Sequence, residues 1–220
     1  MSITQHLVYG QYYHIYNKGN NDEIIFRNHC DFKQFLRLYG KYIELVADTF
    51  AWCLLGDSFH FLIRVKEERE IGCLFPMEHN SSRSSERWKV IPLSEISQLN
   101  VYPSSLVRPV PYRQFSHLFN SYTKYFNRKY NRKGSLFEKN FKRIRVETEE
   151  DLKELVCCIH CKPVLNGNVD CASDYLWSSY QTVISSKSTK LKRCKVINWF
   201  ESVDSFESFH LMKQKSLKIE

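Results

Sequence analysis

Two runs of β-forming residues, Thr49 to Leu55 and Phe59 to Lys66, are separated by only Gly56-Asp57. A connection that short joins antiparallel neighbours and nothing else, so a hairpin is predicted in the first third of the chain. Upstream, Tyr12 to Asn17 alternates and is rich in β-formers, and it ends in the turn sequence Lys18-Gly19-Asn20-Asn21. Between that strand and the hairpin, Phe32, Phe35, Leu36, Tyr39, Tyr42, Ile43 and Val46 recur at helical steps. Asn28 is placed to cap this helix, with Asp31 at the third position of a variant capping box.

The second half repeats the alternation of elements. Phe115, Leu118, Phe119, Tyr122 and Phe126 define one face of a helix that ends at Asn131-Arg-Lys-Gly134, and Phe141 to Glu147 alternates as a strand. The order strand, helix, strand, strand, helix, strand predicts an α+β, ferredoxin-like split βαβ fold. Its antiparallel sheet would carry helices on one face. Thr148, followed by Glu149, Glu150 and Asp151, starts an extra C-terminal helix. That helix turns Leu152, Leu155, Val156 and Ile159 inward and is expected to stop before Pro163. A tail follows from Ser185, with an apolar patch at Ile197 to Phe200.

Residues 67 to 111 have a different texture, with five of the six prolines and eight serines between Pro76 and Pro111. They read as an insertion between a first part, 1–66, and a second part, 112–184, with a tail at 185–220. With 43% hydrophobic and 25% charged residues, the chain excludes wholesale disorder. No apolar run reaches the ~18 residues of a membrane span, so no membrane partner is expected. The start lacks a signal-peptide pattern, and eight cysteines without one imply free thiols in a reducing cytoplasm.

The formal charge of +8 is unevenly placed. Between Tyr112 and Val146 lie Arg113, Lys124, Arg128, Lys129, Arg132, Lys133, Lys139, Lys142, Arg143 and Arg145 against one acid, Glu138. The same segment holds nine of the 32 aromatics. Phosphates need cations and unstacked bases need π-faces, so this stripe points to single-stranded or hairpin DNA. A solvated helix with aromatics in the core is the competing reading.

Tyr13-His-Ile-Tyr-Asn-Lys-Gly-Asn20 and Ala51-Trp-Cys-Leu-Leu-Gly-Asp-Ser-Phe-His-Phe-Leu-Ile63 resemble the single-tyrosine transposases of the His-hydrophobic-His type. That group includes the REP-associated tyrosine transposases. The resemblance continues through Tyr122-Thr-Lys-Tyr-Phe-Asn127, Gly134-Ser-Leu-Phe137, Phe141-Lys142, the helix reaching Pro163 and Trp177-Ser-Ser-Tyr180. It implies DNA nicking and rejoining by a helix-borne tyrosine, with Mg²⁺ or Mn²⁺ held by two histidines of one strand and a polar residue one turn beyond the tyrosine.

Carried over position by position, the histidine triplet falls on Ser58-Phe59-His60, and the late helix on Cys158-Ile-His-Cys-Lys-Pro163. Cys158 thus stands at the nucleophile position. His60 is the one retained ligand, with Ser58 and Lys162 at the other two ligand positions. Serine is a poor substitute for imidazole, and protonated lysine has no lone pair. The expectation is a DNA-binding member of the transposase type that does not cut and needs no cofactor, with Mg²⁺ or Mn²⁺ relevant only if cutting survives. Two alternatives stay open: an active nickase using a variant site, to which His14 or one of Tyr122, Tyr125 and Tyr130 contributes, and a zinc- or thiol-linked module built on Cys157, Cys158, His160, Cys161 and Cys171. Relatives of this fold dimerise in some lineages and act as monomers in others, so a homodimer and a monomer both stay open.

Overall fold

The computed structural model describes residues 6–76, 88–91 and 106–217. Four strands form one antiparallel sheet: β1 (Tyr12–Lys18), β2 (Ala47–Leu54), β3 (Ser58–Val65) and β6 (Lys142–Val146), in the order β2-β3-β1-β6. This is the ferredoxin-like order, with the first strand central and the hairpin strands on one side. Leu55 and Ser58 exchange backbone hydrogen bonds of 2.8 and 3.4 Å around Gly56-Asp57, closing the tight hairpin.

Helix α1 (His29–Tyr42) begins where its cap predicts. The Asn28 side chain accepts from the Cys30 N–H at 3.0 Å, and Asp31 Oδ2 accepts from the Asn28 N–H at 3.2 Å. Helix α2 (Pro111–Lys129) opens with proline in its first turn, where a missing N–H costs nothing. These two helices cover one face of the sheet. Phe32, Phe35, Phe115, Tyr122 and Phe126 pack there against Tyr13, Ile15, Phe59, Phe61 and Ile63.

The opposite face receives the appended helices. Helix α3 (Glu149–Leu165) is capped by Thr148 Oγ1, which accepts from the Asp151 N–H at 3.1 Å. It lays Leu152, Val156 and Ile159 against Phe50, Ala51, Cys53 and Leu62. A bulge between Thr49 and Ala51 on β2 lets Phe50 and Ala51 join this same core.

Two features depart from the sequence-based expectation. Helix α3 does not stop before Pro163 but runs through it to Leu165. The proline ring is buried, so packing offsets the single lost backbone bond. Just beyond, Gly167 takes φ +69° and its N–H donates to the Val164 carbonyl at 3.0 Å, which closes the helix end. The stretch from Ser185 is not an irregular tail either. After α4 (Tyr180–Ile184) it forms α5 (Arg193–Phe200) and α6 (Val203–Leu217), whose Val196, Trp199, Phe200 and Phe206 complete the second core.

Within the expected insertion, residues 77–87 and 92–105 lie outside the described residues. The described part includes β4 (Cys73–Pro76) paired antiparallel with β5 (Trp88–Ile91).

Candidate functional site

Strand periodicity sends His14 and Tyr16 to the sheet face that carries α3, and His60 with them. Tyr16 lies directly opposite His60 in the β1–β3 register, and His14 lies opposite Leu62. The two imidazoles meet, with His14 Nε2 3.1 Å from His60 Nδ1, although they are 46 residues apart in sequence. One ring nitrogen must donate and the other accept, which a neutral pair does and a doubly charged pair cannot. Tyr16 completes a stack, its ring centroid 4.7 Å from His14 and 5.5 Å from His60.

Burial first, and the nearby Lys162 charge second, lower the His14 pKa to about 4 and the His60 pKa to about 2. Lys162 on α3 thus carries its charge within electrostatic reach of both imidazoles. Cys158 precedes it by one turn of the same helix and is exposed. Ser58 shares the face but donates its hydroxyl to Asp57 Oδ1 at 2.8 Å, at the turn end of β3.

This donor set does not fit the divalent cation that the resemblance implies. The two imidazoles spend a donor and a lone pair on each other, and the Lys162 charge acts on both. Mg²⁺ asks for hard oxygen ligands, and among the described residues no group of three His, Cys, Asp or Glu side chains is placed to hold a metal ion.

The three tyrosines weighed as substitute nucleophiles lie beyond the other face. Tyr122 donates its hydroxyl to the Ile25 carbonyl at 2.6 Å. Tyr125 and Tyr130 donate to Asp31 at 3.1 and 2.6 Å. All three have structural work in the core beneath α1 and α2.

The cysteine constellation also resolves into packing. Cys157 and Cys161 are buried with their sulfurs 3.7 Å apart. The hydrogen bond with Cys161, then burial, push the Cys157 thiol far above its usual range. His160 has both nitrogens committed, and His210 fixes the direction of its bonds. His210 Nδ1 donates to the Phe206 carbonyl at 2.7 Å, so His210 Nε2 accepts from His160 Nδ1 at 3.0 Å. His160 Nε2 in turn accepts from the Ser179 hydroxyl at 2.8 Å, and that oxygen accepts from the Trp52 N–H at 2.8 Å. The chain resembles a serine–histidine relay, but Ser179, His160 and His210 are each 0% exposed, and it ties β2, α3 and α6 together instead. Nothing in the sequence spacing announces it.

The ten basic residues of the 112–146 segment separate into two groups. Arg113, Lys124 and Arg128 are exposed along the outer side of α2, opposite buried Phe115, Leu118, Tyr122 and Phe126. Lys133 and Lys139 are exposed beyond the helix, and Lys142 is exposed on β6. The others have local partners. Lys129 reaches the fully buried Asp31 at 2.6 Å, Arg132 pairs with Glu23 at 2.9 Å, and Arg145 pairs with Glu147 at 3.3 Å. Arg143 lies 4.9 Å from the Phe141 ring and 5.2 Å from Tyr112.

Burial pushes the Asp31 carboxyl up, but Lys129, Tyr130, the Arg27 N–H and Tyr125 outweigh it and hold Asp31 below the usual range. Lys129→Ala is therefore expected to cost about 1–3 kcal/mol of stability, while Arg128→Ala one residue earlier stays within ~0.5 kcal/mol. Urea denaturation of the two variants checks this, and equal midpoints would show that Lys129 is an ordinary surface cation.

No protein-family model matches the sequence, and no curated protein matches it. Among solved structures, the chain is similar to a REP-associated tyrosine transposase bound to a REP hairpin. The TM-score is 0.50 with 14% identity, covering 84% of this chain and 86% of that one. At that identity the likeness shows a shared fold. No helix among the described residues is long and apolar enough to cross a membrane.

Proposed function

We propose that the chain binds single-stranded or hairpin DNA as a distant member of the transposase type and does not cut it. The observation that carries this reading is the set of exposed cations on and beyond α2: Arg113, Lys124, Arg128, Lys133, Lys139 and Lys142. They lie on a fold whose solved likeness is a transposase holding a hairpin. Phosphate contacts position a nucleic acid without reading its sequence, so these residues supply affinity and leave specificity to other contacts. The non-cutting half of the proposal rests on Cys158, Ser58 and Lys162 at the positions where the resemblance expects a phenol and two metal ligands.

Fluorescence anisotropy with a labelled hairpin oligonucleotide, titrated from 50 to 300 mM salt, tests the binding half. Six phosphate contacts give a slope of log affinity against log salt of about −4 where they fall on single strands and about −5 where they fall on the duplex stem. Replacing Arg113, Lys124 and Arg128 together by Gln is expected to reduce that slope to about half and to weaken binding to all sequences alike. Affinity unchanged across the salt range would refute the reading.

A further inference from the structure

At the edge of the sheet farthest from β6, later segments of the chain meet the outer side of β2 at two points. The Ser179 N–H donates to the Trp52 carbonyl and the Lys192 N–H to the Thr49 carbonyl, each at 2.9 Å. Beside these contacts lies a cavity of about 530 Å³, walled by the C-terminal half of α1, β2 and residues 189–192. That volume falls within the ~300–1,000 Å³ of small-molecule sites. Part of its wall is apolar and stiff. The Tyr39 ring stacks on Phe61 with centroids 4.2 Å and planes 10° apart, and both residues are buried. Leu36 and Trp52, each only partly buried, extend this apolar wall.

The rest of the lining is charged, and its acids already have partners. Glu44 is held by Lys190 at 2.5 Å, and Asp48 by Arg64 at 2.9 Å and Lys192 at 3.3 Å. Lys66 differs. Its ammonium donates to the Glu44 backbone carbonyl at 2.6 Å, and among the described residues no carboxylate forms an ion pair with it. An ammonium has three donors, so Lys66 keeps donors and a full charge to offer beside the aromatic wall.

We propose that this cavity binds a small ring-bearing anion, its ring laid against Trp52 and Leu36 and its carboxylate or phosphate paired to Lys66. No lining residue belongs to the 112–146 segment or to the His14–His60 pair, so the inference stands apart from the DNA-binding reading. Both halves of the ligand are needed. A lone anion gains little from one lysine in contact with water, and a neutral ring leaves that lysine without a counter-charge.

In ¹H–¹⁵N spectra of the full chain, each of the four tryptophans gives one indole N–H signal, and Trp52→Phe assigns that of Trp52. Adenosine 5′-monophosphate and 3-phenylpropionate, titrated separately, distinguish phosphate from carboxylate as the anion. At least one is expected to shift the Trp52 signal saturably, and to bind about tenfold more tightly than its uncharged counterpart, adenosine or 3-phenylpropanol. Lys66→Gln, which keeps a donor for the Glu44 carbonyl, is expected to erase that preference. Replacing Arg113, Lys124 and Arg128 together by Gln leaves it intact, which separates the cavity from the cations of α2. Four results overturn the proposal: no movement of the Trp52 signal with either compound, equal binding of the uncharged counterparts, the full effect from inorganic phosphate alone, or a preference that survives Lys66→Gln.

Discussion

Acidification from pH 7 to pH 4.5 is expected to lower the stability of this chain by several kcal/mol, before most carboxylates titrate. Four histidines are responsible: His14 and His210, whose pKa values burial lowers to about 4, His60, lowered to about 2, and His160, lowered well below its ordinary value. In the unfolded chain each takes up a proton near pH 6.5, while in the fold each stays neutral. The unfolded state therefore binds more protons below pH 6.5, and stability falls as pH falls. The loss runs from pH 6.5 down to the folded values, near 4 for His14 and His210 and lower for His60. Each histidine contributes up to about 1.4 kcal/mol per pH unit. If only one proton is counted for each hydrogen-bonded pair, the drop between pH 6 and 4.5 is already about 4 kcal/mol, a large share of an ordinary domain's stability. The relay from Trp52 through Ser179, His160 and His210 to Phe206 lies in the core, so a proton on either histidine places a charge away from water and loosens α6. Urea midpoints at pH 7 and pH 5 measure the effect. His210→Gln should lower the midpoint at pH 7 and flatten its pH dependence. Identical wild-type midpoints at the two pH values would mean that these histidines are not neutral and buried.

Incubation of the unmodified chain with a labelled hairpin in Mg²⁺ or Mn²⁺ is expected to give no covalent protein–DNA adduct on a denaturing gel. The losses at the site are cumulative. Cys158 offers a thiol where the resemblance expects a phenol, Lys162 places an ammonium where it expects a ligand, and Ser58 hydrogen-bonds Asp57 at the turn. Defects within one catalytic unit are not additive, and loss of a nucleophile alone commonly costs several orders of magnitude in rate. Single reversions should therefore yield no adduct. Ser58→His, Cys158→Tyr and Lys162→Asn combined is the variant in which cleavage has a chance to return, because a histidine at position 58 would share the sheet face of His60. An adduct formed by the wild-type chain and abolished by Cys158→Ala would reverse the conclusion.

The elements legible in the sequence are those whose signals are local. Gly56-Asp57 announced the hairpin, Asn28 with Asp31 announced the start of α1, and Thr148 announced the start of α3, because turns and caps act within four residues. The 3.6-residue pattern of Phe115, Leu118, Tyr122 and Phe126 marked α2 for the same reason. Helix α6 gave no such signal, since His210 and Gln214 occupy buried positions that a hydrophobic pattern assigns to apolar residues.

The chemistry of the site lay beyond sequence alone. Whether His14 faces His60 depends on strand register, and a slip of one residue would send His14 to the opposite face. The ten cations of the 112–146 segment look alike in sequence, yet Lys129 and Arg132 are distinguished by Asp31 and Glu23, about a hundred residues away. Sequence set the order of elements and the place of the charge. Tertiary packing decided which histidines meet, which cations remain exposed and which thiols are buried, because each of those properties belongs to a contact between distant segments.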